Sequence, residues 1–451
     1  MPVSEQTEPG SVIEEAARDR KARREGPPRE PPDPDAEARY RALVDRHLTR
    51  NFVAHLLHGL LGQTGFRLVN APTFLPAYIQ LLSGSDFAVG FARSLQSFGM
   101  FLSPLFGASL IEHRRRVLPV GFVVGALMRV QVLGLALAGV LLPPGWALRV
   151  IFGVLFLFGV FTGMQGVIFN FLLSKVIPVE RRGRLLGLRN ALAGLTAAGV
   201  AYFGGRYLIE PDALDNGYAV TFGLAFVLTS VGLSALVLLR EPEPPELHPP
   251  TLIRDRLRDL PRLLREDHAF TAYFVCNALA TMGRMAAPFY ILHANATIGL
   301  TGTNIGLLST AFVIANSVAN LGWGLLADRT GWKRVFAIAL VLWIASVLAL
   351  MHSTTLLDFA LVFLGIGAGM GGCQMAAQNM VLEFGRRTDL PLRIAVANTA
   401  QELVGTIGPL LGGVLAVTFG RTSVYSTAIA FQIGAIAVLL WRVDEPRHRE
   451  A

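Results

Sequence analysis

From Asn51 to Trp441 the chain alternates long apolar runs with short polar interruptions. A helix needs roughly 20 consecutive apolar residues to cross the hydrocarbon layer of a bilayer. Runs long enough for this are predicted over 51–81, 87–110, 117–141, 148–174, 185–208, 218–239, 269–294, 303–327, 334–351, 356–383, 393–418 and 422–441. Residues 1–50 read differently: they are polar, Pro-rich and mixed in charge, with no apolar core of a signal peptide. They are expected to form a largely disordered tail that ends in a short basic lead-in with helical potential. Residues 442–451 form a second short tail.

The polar interruptions carry the orientation. Alternate connections read EHRRR (112–116), KVIPVERRGR (175–184), the whole of 240–267, DRTGWKR (328–334) and GRRTDLPLR (385–393). The opposite connections (SGSD, LPPGW, EPDALDNG, NATIGLTGTN and HST) contain no Lys or Arg, and Arg421 alone departs from the alternation. Basic loops stay in the cytoplasm, so both termini are expected inside and the number of spans even. The multi-pass chain is expected in a bacterial cytoplasmic membrane.

Composition agrees and narrows the class. Of 451 residues 52% are hydrophobic and only 16% charged, where a soluble domain carries about 25% charged residues. The formal net charge of +8 is accounted for by membrane topology, so no nucleic-acid partner is expected. Cys276 and Cys373 both lie in apolar runs and imply neither a disulfide nor a metal framework. No GxxxxGK[ST] loop, HExxH or CxxC is present, and Gly367-Ala-Gly369-Met-Gly371-Gly372 lies inside an apolar run, where it reads as helix packing rather than a nucleotide fingerprint. No catalytic residue, cofactor or metal site is expected.

Residues 240–267 divide the chain into 51–239 and 268–441. The segment opens with the Pro-rich spacer EPEPPELHPP and continues with Leu252, Ile253, Leu257, Leu260 and Leu264 on one helical face. An amphipathic helix on the inner leaflet and a solvated linker helix both fit this pattern. The two halves repeat. An offset of 217 residues carries Thr64 and Arg67 onto Thr281 and Arg284, and Gly107 onto Gly324, while an offset of 206 aligns GVFTGMQG (159–166) with GIGAGMGG (365–372). The predicted fold is therefore an all-α membrane protein of twelve transmembrane helices in two pseudo-symmetric six-helix bundles.

One stretch carries a family resemblance. Gly324-Leu-Leu-Ala-Asp328-Arg329-Thr-Gly331-Trp-Lys333-Arg334 resembles the signature loop of the major facilitator superfamily, and it lies between the eighth and ninth runs, one of the two places that family expects it. At the other place Gly107 is kept, Ile111 or Glu112 stands near the Asp position, and Arg114, Arg115 and Arg116 supply the basic run. The resemblance covers residues 50–441 and implies secondary transport by alternating access, a cytoplasmic latch at these loops, and a monomer. Gly408-Pro409-Leu-Leu-Gly412-Gly413 resembles an element of proton-coupled drug exporters, but those exporters carry it in the fifth span and not the eleventh.

Several charges lie where lipid would be. Arg67 and Arg284 are central in the first and seventh runs, Arg129 in the third, and Arg93 in the outer part of the second. A cation at the bilayer centre costs a few kcal/mol on insertion scales and so faces a cavity or a partner. Gln63, Arg67 and Asn70 share one helical face, as do Asn277, Thr281 and Arg284. The clear intramembrane acid is Glu402, with Glu383 at the inner end of the tenth run. Cations thus outnumber acids, which points to an anionic substrate held by Arg forks. The placement of Arg67 and Arg284 resembles that in organophosphate antiporters of the same superfamily. Gln165, Gln374, Gln378, Asn316 and Asn320 could line the same cavity, and interhelical hydrogen bonding accounts for them equally well.

Coupling to a proton gradient needs a titratable group: Glu402 is the first candidate, and the His55–His58 pair, three residues apart in the first run, the second. The expected function is secondary active transport of a small organic solute, read as an anion, driven by a proton or solute gradient as symporter or antiporter. The alternative is a proton-coupled multidrug or amphiphile exporter.

Overall fold

The computed structural model describes residues 34–111, 114–243, 265, 267–381 and 390–443. Among these residues there is no strand. The helices are α1 (Pro34–Arg46), α2 (Leu48–Asn70), α3 (Phe74–Ser83), α4 (Asp86–Leu102), α5 (Pro104–Ile111), α6 (Leu118–Leu141), α7 (Pro144–Val176), α8 (Val179–Phe203) and α9 (Gly217–Ser234). After the divide come α10 (His268–Met282), α11 (Tyr290–Ile298), α12 (Gly302–Thr330), α13 (Trp332–Leu350), α14 (Leu356–Met380), α15 (Leu390–Phe419) and α16 (Arg421–Arg442). Among the described residues eight helices are long and apolar enough to cross a membrane on length and composition alone. Large apolar side chains such as Leu81, Leu141, Leu321, Leu361, Val417 and Trp441 are exposed. In water that surface would be a liability, but in lipid it is the expected exterior.

Three of the predicted apolar runs are broken. The run 51–81 is interrupted between α2 and α3, beside Pro72, whose ring removes a backbone donor and disfavours helix in the residue before it. The run 87–110 breaks at Ser103, ahead of Pro104. The run 269–294 tightens to a 3-10 stretch, Gly283–Phe289, which contains Pro288. The linker face 252–264, Glu112 and Glu383 lie outside the described residues.

Local sequence sets the helix ends. Ser85 accepts from the Ala88 N–H to start α4, and Asp267 from the Phe270 N–H to start α10. Thr355 and Asp358 form a reciprocal capping box on α14. Gly84, Gly299, Gly331 and Gly420 turn the chain at positive φ, where a Cβ would be strained.

The helices pack in two groups. In the first, α2 lies against α8 and α9, and α6 and α4 against α7; in the second, α14 lies against α12 and α13, and α10 against α15 and α16. The groups meet along α4–α15 and α8–α12. Both contacts rest on glycine. A Cβ at Gly90 of α4 would lie 2.3 Å from the Pro409 carbonyl oxygen, and one at Gly205 2.3 Å from that of Gly302. Backbone-to-backbone approach of this kind is how helices associate where lipid removes the hydrophobic drive between them.

The structural register of the repeat differs from the letter match. Gly159 and Gly163 face α4, at Gln96 and Met100, whereas Gly365 and Gly369 face α13, at Ser346 and Trp343. The glycines facing α12 are Gly367 and Gly371, at Phe312 and Asn316. Gly159 and Gly163 thus correspond to Gly367 and Gly371, two residues beyond the match of the letters. Packing partners, not residue identity, set the equivalence.

Candidate functional site

The breaks in the first and seventh apolar runs bring the two central arginines to helix ends. Arg67 is in the last turn of α2, and its Nη1 donates to Ser317 Oγ of α12 at 2.5 Å, across the divide between the groups. Gly194 of α8 leaves the room: a Cβ there would lie 2.2 Å from Ser317 Oγ and 3.1 Å from Arg67 Nη1. Arg284 lies in the 3-10 stretch after α10, half-buried. Glu402 of α15 is within electrostatic reach of both Arg284 and Arg93. Arg93 belongs to the first group and Arg284 to the second, and among the described residues neither forms an ion pair with Glu402.

Around them runs a polar network. Arg93 Nη1 donates to Gln96 Oε1 at 2.8 Å and to Asn70 Oδ1 at 3.5 Å, and Gln96 Nε2 donates to Asn70 Oδ1 at 2.7 Å. In the second group Gln401 Nε2 donates to Asn277 Oδ1 at 3.0 Å, and Thr281 Oγ1 donates to the Asn277 carbonyl at 2.8 Å. Asn277 and Thr281 are buried, while Gln63 is half-buried one turn from Arg67. Gln374 and Gln378 are exposed on α14.

Arg129 is held differently. It is buried, with Nε donating to the Thr229 carbonyl of α9 at 2.6 Å and Nη1 to the Gly125 carbonyl at 2.7 Å. Backbone oxygens satisfy it inside the first group, and Gln165 lies beside it at Gly125, its Oε1 buried without a partner. Asn316 Nδ2 donates to the Gly367 carbonyl at 3.2 Å, and Asn320 Oδ1 is buried without a partner.

His55 and His58 pack on Phe169 of α7, at centroid separations of 5.3 and 5.2 Å. Both ring nitrogens of His55 and Nδ1 of His58 are buried without partners. Arg189 of α8 places its guanidinium 5.0 Å from the centre of the same Phe169 ring. In the sequence Arg189 stands near the start of the predicted run 185–208, with no partner or role marked by the residues around it. The available signal was an Arg-Asn pair, Arg189 and Asn190, within the apolar stretch LLGLRNALAGL. Ser317, Gln96 and Gln401 were likewise unassigned, because nothing local distinguishes a polar residue at a helix crossing from one in a solvated turn.

The signature loop lies at the end of α12. Asp328 and Arg329 are exposed, Gly331 turns at φ 86, Lys333 is half-buried and Arg334 exposed. Gly324 has only Met375 Cε near its open face, at 3.7 Å from a built Cβ. Among the described residues Asp328 makes no ion pair. In the first group Gly107 packs on the backbone of Met164, and Arg114 is exposed. Glu241, beyond the short 3-10 stretch Ala235–Leu238 that follows α9, accepts from the Val117 and Leu118 N–H groups at 2.8 Å and pairs with buried Lys175.

These features define a membrane protein of packed helices with a charged site between two helix groups. Sequence comparison places it: the chain matches the Major Facilitator Superfamily over residues 59–282 and 273–451, and it belongs to that family. It is a secondary transporter and not an enzyme. An uncharacterized MFS-type transporter of Methanocaldococcus jannaschii is 29% identical over 134 residues, 30% of this chain and 34% of that protein, so the chain spans about a third of that relative's length. The multidrug resistance protein MdtG of Salmonella arizonae is 22% identical over 83% of this chain and 91% of its own length. A hexuronate transporter of Bacillus subtilis is 29% identical over 35% of each chain. Among solved structures, a D-xylose-proton symporter superposes with a TM-score of 0.71 at 13% identity, covering 89% of this chain and 99% of that one. A bacterial homolog to the human lysosomal transporter Spinster, in an inward-facing and unoccupied conformation, gives 0.64 at 13% identity over 90% and 99%. At such identities the structural likeness speaks for the fold alone.

Proposed function

We propose that the chain moves a small organic anion across a bacterial cytoplasmic membrane by alternating access, coupled to a proton or solute gradient. The observation that carries this reading is the charge imbalance: Arg67 crosses to Ser317 between the helix groups, and Arg93 and Arg284, one from each group, have Glu402 as their charged neighbour. Buried cations without counter-ions are expensive, and an anionic substrate supplies the missing charge. Arg67, Arg284, Gln63, Asn70, Asn277 and Thr281 form the binding set, while backbone satisfaction of Arg129 argues for a structural role there.

In this reading the chain crosses the membrane twelve times, the broken pairs α2–α3, α4–α5 and α10–α11 each making one pass, with residues 51–239 and 268–441 as the two bundles and both tails inside. The joints Asp86–Arg421, Glu210–Thr303 and Gly205–Gly302 then lie outside, so the structure corresponds to an inward-facing state. Glu402 carries the coupling proton: the ionised carboxylate competes with the substrate anion for Arg284, and protonation of Glu402 releases that arginine to the substrate. Glu402→Gln is expected to abolish proton-driven accumulation while leaving exchange of substrate across the membrane.

A second reading has its own support, since a relative matched over most of the chain is named for multidrug resistance. Thermal-shift measurements on the purified protein separate the two, because a ligand that binds only the native state raises Tm. Stabilisation by organic anions that is lost in Arg67→Ala and Arg284→Ala supports the anion reading. Stabilisation by lipophilic cations that survives both substitutions overturns it in favour of amphiphile export.

A further inference from the structure

Two arginines of this chain divide their nitrogens in the same way. Arg421 anchors Nη1 on the Leu292 carbonyl and presents its Nε–Nη2 edge to the Asp86 carboxylate. Arg93 anchors Nη1 on two amide oxygens, Gln96 Oε1 at 2.8 Å and Asn70 Oδ1 at 3.5 Å. Among the described residues its Nε and Nη2 make no hydrogen bond and no ion pair. The position of Arg93 on α4 turns it toward the second helix group. Asp86, Gly90, Arg93 and Ser97 follow at intervals of four, three and four, which makes one stripe of the helix. The other three all meet the second group: Asp86 at Arg421, Gly90 at the Pro409 carbonyl and Ser97 at Gly405. Arg93 is half-buried between them, with Glu402 and Arg284 as charged neighbours.

Gln96 sets the direction of this arginine. It is fully buried, and a Cβ at Gly159 of α7 would overlap its carbonyl oxygen, so its backbone is held against α7. Its amide is oriented at both ends: Oε1 accepts from Arg93, and Nε2 donates to Asn70 Oδ1 at 2.7 Å. Asn70 is oriented in turn by its Nδ2, which donates to the Phe66 carbonyl at 2.9 Å. Reversing either amide would set donor against donor or acceptor against acceptor. The Asp86 carboxylate neutralises Arg421, whereas two neutral amides fix Arg93 and leave its charge in place.

Resting on the anion reading above, we propose that Arg93 receives the oxyanion end of the substrate on its Nε–Nη2 edge, and that Gln96 is the positioning residue that presents this edge. A carboxylate or a phosphoryl group offers two oxygens at the spacing of these two N–H donors. Asn70, with its oxygen taken up by Gln96 and Arg93, acts on the substrate through Arg93.

The test is thermal stabilisation of the full chain, purified in detergent, at constant pH and ionic strength. The probes are benzoate, butyrate and phenyl phosphate, with benzamide and butyramide as neutral counterparts. Wild type is expected to bind at least one anion more tightly than its amide, and the anion that does so tells carboxylate from phosphoryl. Arg93→Lys keeps the charge and loses the fork, while Gln96→Leu keeps every charge and releases the arginine. Each is expected to weaken that anion by about tenfold or more and the amide by no more than about threefold. Gln96→Glu supplies a readout that a packing role would not move. It is nearly isosteric with Gln, so on packing grounds it disturbs less than Gln96→Leu; beside a substrate-binding arginine its carboxylate neutralises Arg93 and weakens the anion more. Arg93→Lys decides the matter if neither Gln96 variant folds. An anion preference that survives Arg93→Lys or Gln96→Leu, or an anion bound better by Gln96→Glu than by Gln96→Leu, overturns this assignment and leaves the anion reading standing. If no anion shifts wild-type Tm, or none is preferred to its amide, the anion reading falls and this assignment with it.

Discussion

Arg421 clasps Asp86 with both arms of its guanidinium, Nε to Oδ2 at 2.7 Å and Nη2 to Oδ1 at 2.8 Å, and the third nitrogen donates to the Leu292 carbonyl at 2.9 Å. The residues are 335 positions apart and belong to different helix groups. Arg421 is also the residue that breaks the loop-charge alternation, and the clasp gives it a reason to stand there. A bidentate, part-buried pair of this kind biases a two-state equilibrium by roughly 1–2 kcal/mol, about 5- to 30-fold in population.

Asp86→Asn or Arg421→Gln is therefore expected to open that end of the molecule. Ser309 of α12 is the reporter, buried between the two helix groups with its Oγ donating to Thr73 Oγ1, in the α2–α3 connection, at 2.7 Å. With Cys276→Ser and Cys373→Ser as background, Ser309→Cys should react with an impermeant maleimide several-fold faster once the clasp is broken. The double exchange Asp86→Arg with Arg421→Asp should restore slow labelling. Labelling unchanged in both single variants would rule out a latch role.

Gly90→Ala acts on the same joint through shape. Its Cβ would lie 2.3 Å from the Pro409 oxygen, and relieving such overpacking costs about 1–3 kcal/mol against the closed arrangement, roughly 5- to 150-fold. The same cysteine reporter should label faster. Gly84→Ala is a poor control because of its positive φ, whereas Gly145→Ala meets nothing within 4 Å and should leave labelling unchanged.

Acid should loosen the joint as well. The Thr303 backbone N–H donates to Glu210 Oε2 at 2.8 Å and holds that carboxyl below the usual carboxylate range. A depressed value means that the contact contributes fully above the ordinary range and is lost as pH falls through the lowered one. Labelling at position 309, taken relative to a freely exposed thiol at the same pH because the thiolate fraction itself falls in acid, should rise as pH drops below the carboxylate range, and Glu210→Gln should flatten that component of the profile.

Glu241 is a stability element and not a transport residue. It neutralises buried Lys175 and caps the start of α6 with two N–H contacts. Glu241→Ala leaves a buried ammonium uncompensated, a loss of about 3–5 kcal/mol. A large fall in Tm in detergent is expected, with a smaller fall for Lys175→Met, because the Glu241 carboxylate left behind still accepts from the Val117 and Leu118 N–H groups.

Much of this protein is legible in the order of its residues. Apolar runs of bilayer length, charges sorted to alternate loops and the Gly324–Arg334 stretch together determine a multi-pass helical transporter, because lipid permits few backbone solutions and each has a strong compositional signature. The central cations Arg67, Arg284 and Arg129 were equally visible, since charge inside an apolar run is rare. What each one does was decided by tertiary structure. Arg129 finds the Thr229 carbonyl and is satisfied, whereas Arg67 meets Ser317 from the other helix group. Partners hundreds of residues apart leave no periodic trace in the chain, and neither do glycines whose only role is to let another helix's arginine pass. Lipid specifies that helices form and where they turn; which side chains meet at their crossings follows from packing alone.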